Sequence, residues 1–141
     1  RLDDGGVAWN INLIDFINAR RVIILGKISN VNEVLLASDI FVFPSHRENL
    51  SNSLLEASAT GLPIVATNVG GNSEIVKHEE TGILIDPYDT KQLTQAILKL
   101  AGDDNLRIKY GRSGLTRMEN CFSQDTIFNK ISNMYDSLLK K

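Results

Sequence analysis

Short runs of branched or aromatic apolar residues, each closed by Gly, Pro or Asn, alternate along the chain with stretches whose apolar positions recur every three or four residues. Val22–Leu25, Ile40–Phe43, Ile64–Thr67 and Ile83–Ile85 are runs of the first kind. Unbroken apolar character suits strands buried on both faces, as in a parallel sheet. The second kind predicts helices over Trp9–Ala19, Val31–Ala37 and Ser51–Thr60. Asn30 and Glu33 are spaced as a capping box at the head of the second, and Gly61 with Pro63 closes the third. From Thr90 onward the strands stop. Leu93, Ala96, Ile97 and Leu100 keep the helical period up to Gly102, a further helix is predicted from Asp103 to about Met118, and a last one opens at Ser123. Strands alternating with helices across short loops predict the α/β class, with a doubly wound parallel sheet and a helical C-terminal tail. No repeat, linker or low-complexity tract interrupts it, so residues 1–141 are expected to form one domain.

Composition narrows the function classes. The 141 residues are 43% hydrophobic and 23% charged, an ordinary globular balance. A formal charge of −2, with Lys and Arg scattered, leaves no basic patch for a phosphate backbone, so nucleic acid is excluded as a partner. Cys121 is the only cysteine, which rules out an internal disulfide and fits a reducing, cytoplasmic setting. No apolar run approaches the roughly 20 residues of a membrane-spanning helix. The chain starts at Arg1 rather than Met, and is read as a piece of something longer.

In a sheet of this kind, ligands bind beyond the carboxyl ends of the strands, where helix N-termini collect. The run Ile40–Phe43 empties at Pro44 into the loop Ser45–Leu50, and the next helix begins near Ser51, its unpaired N–H groups suited to an anion. Gly26, Lys27, Ile28 and Ser29 follow a second strand run, and Asn68–Gly71 a third. Glu56 stands about 10 Å from Asn49 at roughly 1.5 Å per residue, near the span from a diphosphate to a ribose. A carboxylate there can accept hydrogen bonds from vicinal ribose hydroxyls, with Glu48 on the other side of the phosphate. The implied ligand is a sugar nucleotide. Without its flanks the pair would read otherwise: Glu48 as a negative side chain favoured at a helix N-terminus, Glu56 as part of a solvated stripe with Asn52 and Thr60.

The flanks are specific. Pro44-Ser45, then Glu48, seven residues, Glu56, the string Ala57-Ser58-Ala59-Thr60-Gly61-Leu62-Pro63-Ile64-Val65-Ala66-Thr67 and finally Gly70-Gly71 closely resemble the donor-binding half of retaining glycosyltransferases of family four, the group-1 type built from two Rossmann-like domains. The likeness extends through Val22–Gly26, Ala37-Ser38-Asp39, Thr81–Leu84 and Phe122-Ser123. It implies the truncated C-terminal half of a two-domain, GT-B enzyme that passes a sugar from a nucleoside-diphosphate sugar to a glycan or lipid-linked acceptor, in surface or capsular polysaccharide synthesis. By this resemblance Glu48 is the catalytic residue that touches donor-sugar hydroxyls and Glu56 holds the ribose. The amides of Asn49, Leu50 and Ser51 cradle the diphosphate, Lys27 and Ile28 line the base pocket, and Gly26 beside them belongs to the donor-binding set. No cofactor or metal is implied, and no Asp-x-Asp triplet, the metal-holding signature of the other large glycosyltransferase fold, occurs. The location implied is cytoplasmic, with the inner face of the membrane as an alternative for the longer protein.

Two features depart from the family pattern. Nothing between Arg1 and Arg21 matches the Arg and Lys that usually grip the diphosphate, and Asn49-Leu50-Ser51 stands where Gly-Phe-Gly is usual. The acceptor-binding N-terminal domain lies outside this chain, so no transfer is expected from it alone. A nucleotide-sugar epimerase or a non-catalytic sugar-nucleotide sensor or partner are the alternatives. His46 and His78 read as loop residues. Gly70 and Gly71 serve either positive-φ turns or close backbone approach to a ligand. Ile127, Ile131, Met134, Tyr135 and Leu138 form an apolar stripe, read as core or, by the resemblance, as a face toward the absent domain.

Overall fold

The computed structural model describes residues 22–139. The chain divides into two compact units, residues 1–31 and 32–141. In the first, the described residues run from Val22 to Val31. Val22–Leu25, predicted as a strand, carries no strand pairing, and Ile23, Ile24 and Leu25 are exposed. A strand exists by its ladder, and no described strand supplies one. The helix predicted over Trp9–Ala19 lies outside the described residues.

A short helix, α1 (Val31–Leu36), leads into the second unit, whose elements follow as β1 (Phe41–Phe43), α2 (Asn52–Ala59), β2 (Ile64–Thr67), α3 (Asn72–Ile75), β3 (Gly82–Ile85), α4 (Thr90–Ala101) and α5 (Asp104–Arg117). A π-helical turn, Met118–Phe122, and α6 (Gln124–Leu139) complete the order. Strands β1, β2 and β3 lie side by side in that order, both pairings parallel, with Phe41 opposite Ile64 and Ile64 opposite Gly82. The two-residue period of each strand divides its side chains between two layers. Ile64 and Ala66 join Leu54, Ala57, Ile75 and Met118 on one face, while Val65, Ile83 and Ile85 join Ala96, Leu100 and Tyr110 on the other. This two-sided cover is the doubly wound, Rossmann-like arrangement, and it explains why β2 is apolar over its first three residues and buried throughout.

Helix starts follow local chemistry. Asp89 accepts from the amides of Lys91 and Gln92 at 2.9 and 2.8 Å to open α4, and Asp103 accepts from Leu106 at 2.9 Å to open α5. Helix α5 connects the layers, with Tyr110 in one cluster and Met118, just past its end, in the other. It passes α2 closely: a Cβ on Gly111 would run into the carbonyl oxygen of Gly61. Helix α6 has no buried residue; Ile127, Ile131, Met134, Tyr135 and Leu138 are all exposed, so the stripe is not core of the described residues.

Candidate functional site

Strand β1 ends where Pro44 withdraws an amide from the ladder. The loop that follows is held to the end of β2 at several points. The Thr67 hydroxyl, at the last position of β2, donates to the carbonyl of Ser45. The Gly71 amide donates to the carbonyl of Asn49 at 2.6 Å. Gly70, at φ +52, lies against the carbonyl of Glu48 so closely that any side chain there would collide with it. Behind this turn, the fully buried Asn72 donates from its Nδ2 to the Thr67 carbonyl at 2.9 Å. Its Oδ1 has no partner among the described residues.

These contacts orient the backbone. In a trans peptide the N–H points opposite to the C=O, and the described residues contain no cis bond. The carbonyls of Glu48 and Asn49 are turned to the Gly70-Gly71 turn, so the amides of Asn49 and Leu50 face away from it. Two residues on, Ser51 is the N-cap of α2, with φ −87 and ψ 116 and its hydroxyl accepting from the Leu54 amide at 3.4 Å. The amides of Asn52 and Ser53 at the head of α2 have no acceptor within the helix. Four peptide N–H groups and the positive end of a helix are therefore available to an anion over a few residues of chain.

The carboxylates flank this stretch. Glu48 is half-buried, with Oε1 2.9 Å from the Ser45 hydroxyl. Glu56 is exposed on α2, five residues beyond the cap, or about 7.5 Å along the axis, its side chain leaning back toward the N-terminus. Asn52 and Glu56 are both exposed, one turn apart on α2, while Thr60 is half-buried and its hydroxyl donates to the Ala57 carbonyl at 2.9 Å. Of the sequence candidates, the structure brings Glu48, Asn49, Leu50, Ser51 and Glu56 into one loop and helix. Gly26, Lys27 and Ile28 belong to the first unit; there Gly26 has φ +64, Lys27 is exposed and Ile28 half-buried.

Three residues, none of them a candidate from the sequence, take part in shaping the site. Thr67 and Asn72 act through partners that folding brings near. Tyr88, at φ +66, stacks on His46 with ring centroids 4.2 Å apart and planes 12° from parallel. The pair lines a cavity of about 70 Å³ with Pro44, Ile85 and Leu93, at the carboxyl edge of the sheet. The only signal in the sequence was the position of both residues just after strand runs.

Residues 7–103 match the model of the family described as glycosyl transferases group 1. The chain belongs to this family. It is 35% identical over 120 residues to the capsular polysaccharide biosynthesis glycosyltransferase CapM of Staphylococcus aureus, covering 85% of this chain and 32% of that protein. It is 33% identical over 116 residues to a UDP-Gal:alpha-D-GlcNAc-diphosphoundecaprenol alpha-1,3-galactosyltransferase of Escherichia coli, covering 82% and 30%. Sucrose-phosphate synthase of Thermosynechococcus elongatus superposes with a TM-score of 0.80 at 30% identity, over 92% of this chain and 33% of that one. HepE of Anabaena, solved with UDP, superposes at 0.81 and 24% identity, over 89% and 36%, and shares the fold. The group 1 chain thus spans about a third of the length of the relatives it matches. The comparisons agree with the GT-B fold expected from the resemblance.

Proposed function

We propose that these residues form the donor-binding half of a retaining glycosyltransferase of family four, which moves a sugar from a nucleoside-diphosphate sugar to a glycan or lipid-linked acceptor. The observation that carries this reading is the loop geometry: Glu48 and Asn49 carbonyls turned against Gly70-Gly71, amides turned outward, and a capped helix N-terminus between two carboxylates. In this reading the diphosphate lies on the amides of Asn49, Leu50 and Ser51 and the first turn of α2. Glu56 accepts hydrogen bonds from the ribose, and Glu48 from hydroxyls of the donor sugar.

When the bond from the anomeric carbon to the diphosphate oxygen breaks, its electron pair stays on that oxygen. Amides fixed before the reaction stabilise this charge without reorganising, which is how preorganised donors accelerate such a step. The proposed transfer is metal-independent and uses no cofactor. The acceptor is brought by an N-terminal domain outside these residues, and the 141-residue chain alone is expected to show no turnover. CapM, by its name, serves capsular polysaccharide synthesis, and a similar surface glycan is the proposed product here, made in the cytoplasm or at the inner face of the membrane.

Titration of the chain with UDP, GDP and ADP and with their sugar conjugates, followed by amide NMR shifts, tests this. Saturable shifts confined to Ser45–Glu56 and Gly70-Gly71 are expected for at least one pair. Glu56→Ala is expected to weaken nucleotide and sugar nucleotide alike by about tenfold or more, the effect of losing hydrogen bonds to a charged group. No shift with any ligand at millimolar concentration would overturn the reading.

A further inference from the structure

We propose that Ser45 is a positioning residue that fixes the Glu48 carboxylate in one orientation before any ligand arrives. The part of this concerning donor sugars rests on the function proposed above; the part concerning Glu48 itself does not.

The backbone around Glu48 has little freedom left. Ser45 is held through its carbonyl by Thr67, His46 through its ring by Tyr88, Glu48 through the steric wall at Gly70, and Asn49 through its carbonyl by Gly71. Thr67 is itself tied at its carbonyl to Asn72. Both Thr67 and Asn72 are buried, so these anchors lie in the rigid part of the unit. With the main chain pinned, the remaining uncertainty is the three side-chain torsions of Glu48.

Ser45 removes it. Its one hydroxyl proton lies within reach of two acceptors, the Arg47 carbonyl at 3.0 Å and Glu48 Oε1 at 2.9 Å. A carboxylate is the stronger acceptor, because hydrogen bonds to an ionised group are shorter and stronger than those between neutral groups. The proton therefore goes to Glu48. One carboxylate oxygen is then engaged with the protein, while Oε2 and the remaining lone pairs stay available to hydroxyl donors. A side chain ordered in advance loses less conformational freedom on binding, and a polyhydroxyl ring meets its acceptor in place. The recognition that Ser45 adds is for the sugar portion of a ligand and not for its nucleotide.

The test uses the 141-residue chain with Ser45→Ala and Ser45→Thr, each checked by amide dispersion for an intact fold. The first readout needs no ligand: the side-chain ¹³C order and rotamer populations of Glu48. Wild type and Ser45→Thr should each show one dominant rotamer, and Ser45→Ala several. Equal order in all three overturns the proposal, whether or not any nucleotide binds. The second readout compares UDP-glucose with UDP. Ser45→Ala is expected to weaken UDP-glucose by about five- to tenfold with UDP unchanged, and Ser45→Thr to restore it. Equal weakening of both ligands would show Ser45 to be a loop brace only. Absence of UDP and UDP-glucose binding by wild type would count against the donor site, leaving the rotamer measurement to decide on Ser45.

Discussion

At Gly70 two constraints coincide. The φ of +52 lies in the left-handed region that costs a residue with a side chain about 1 to 3 kcal/mol, and the space a Cβ needs is filled by the Glu48 carbonyl. Gly70→Ala is therefore expected to lower unfolding free energy by about 2 kcal/mol or more, read as a shift of the urea midpoint, and to abolish nucleotide-induced shifts at Glu48–Ser51. An unchanged midpoint would show that the loop yields easily. The sequence left two meanings for this glycine, a positive-φ turn and a close backbone approach to a ligand. The positive φ holds, and the close approach seen is to the Glu48 carbonyl of the chain itself. Glu48 and Glu56 were legible because they stand out chemically within an ordered string of residues. Thr67 and Asn72 were not, since a threonine ending a strand acquires meaning only when Ser45, 22 residues away, is folded against it.

Among the elements, those with local causes were readable. Ser51, Asp89 and Asp103 cap their helices within three residues of themselves, and the buried strands announce themselves by apolar runs. Helix α3 and the π-turn were not read, because four or five residues carry too little periodicity and their stability comes from elsewhere. Arg117 donates to the carbonyls of Glu74 and Ile75 at the end of α3, and its guanidinium lies 5.7 Å from the Phe122 ring centre within the π-turn. Val22–Leu25 shows the converse, a run with the composition of a strand that pairs with no described strand. The crossing of α5 over α2 separates propensity from packing. On helix propensity alone Gly111→Ala would stabilise α5 by about 1 kcal/mol. The added methyl would strike the Gly61 carbonyl, which is backbone and has little room to give. Packing should win, with net destabilisation of about 1 to 3 kcal/mol, measured by thermal or urea unfolding; a stabilised variant would show that the helices can separate without cost.

Across the whole molecule, burial couples stability to alkaline pH. Tyr110 is 2% exposed, and desolvation chiefly pushes its phenol above the usual tyrosine value. The folded state thus keeps its proton where the unfolded chain, titrating near pH ~10, gives it up. Its contribution is complete below pH ~10 and declines as pH rises through the folded value. Thermal midpoints should fall above pH ~10, and fall less steeply in Tyr110→Phe; identical alkaline slopes would contradict this. The exposed pair of Lys99 and Glu79, 3.1 Å apart, lowers the Glu79 carboxyl and raises the Lys99 amine through their shared hydrogen bond, and salt should weaken it. By itself the sequence determined the α/β class, three of the strands, the capped helices and the loop that holds the candidate site, because apolar periodicity, caps and a dense motif are encoded within a few residues of where they act. Only the tertiary structure decided how that loop is held: the carbonyls of Glu48 and Asn49 against Gly70-Gly71, Thr67 on Ser45, Tyr88 on His46. Those contacts join residues about 20 or more positions apart, and hydrogen bonds and steric fit between such partners exist only once the sheet has set its strands side by side.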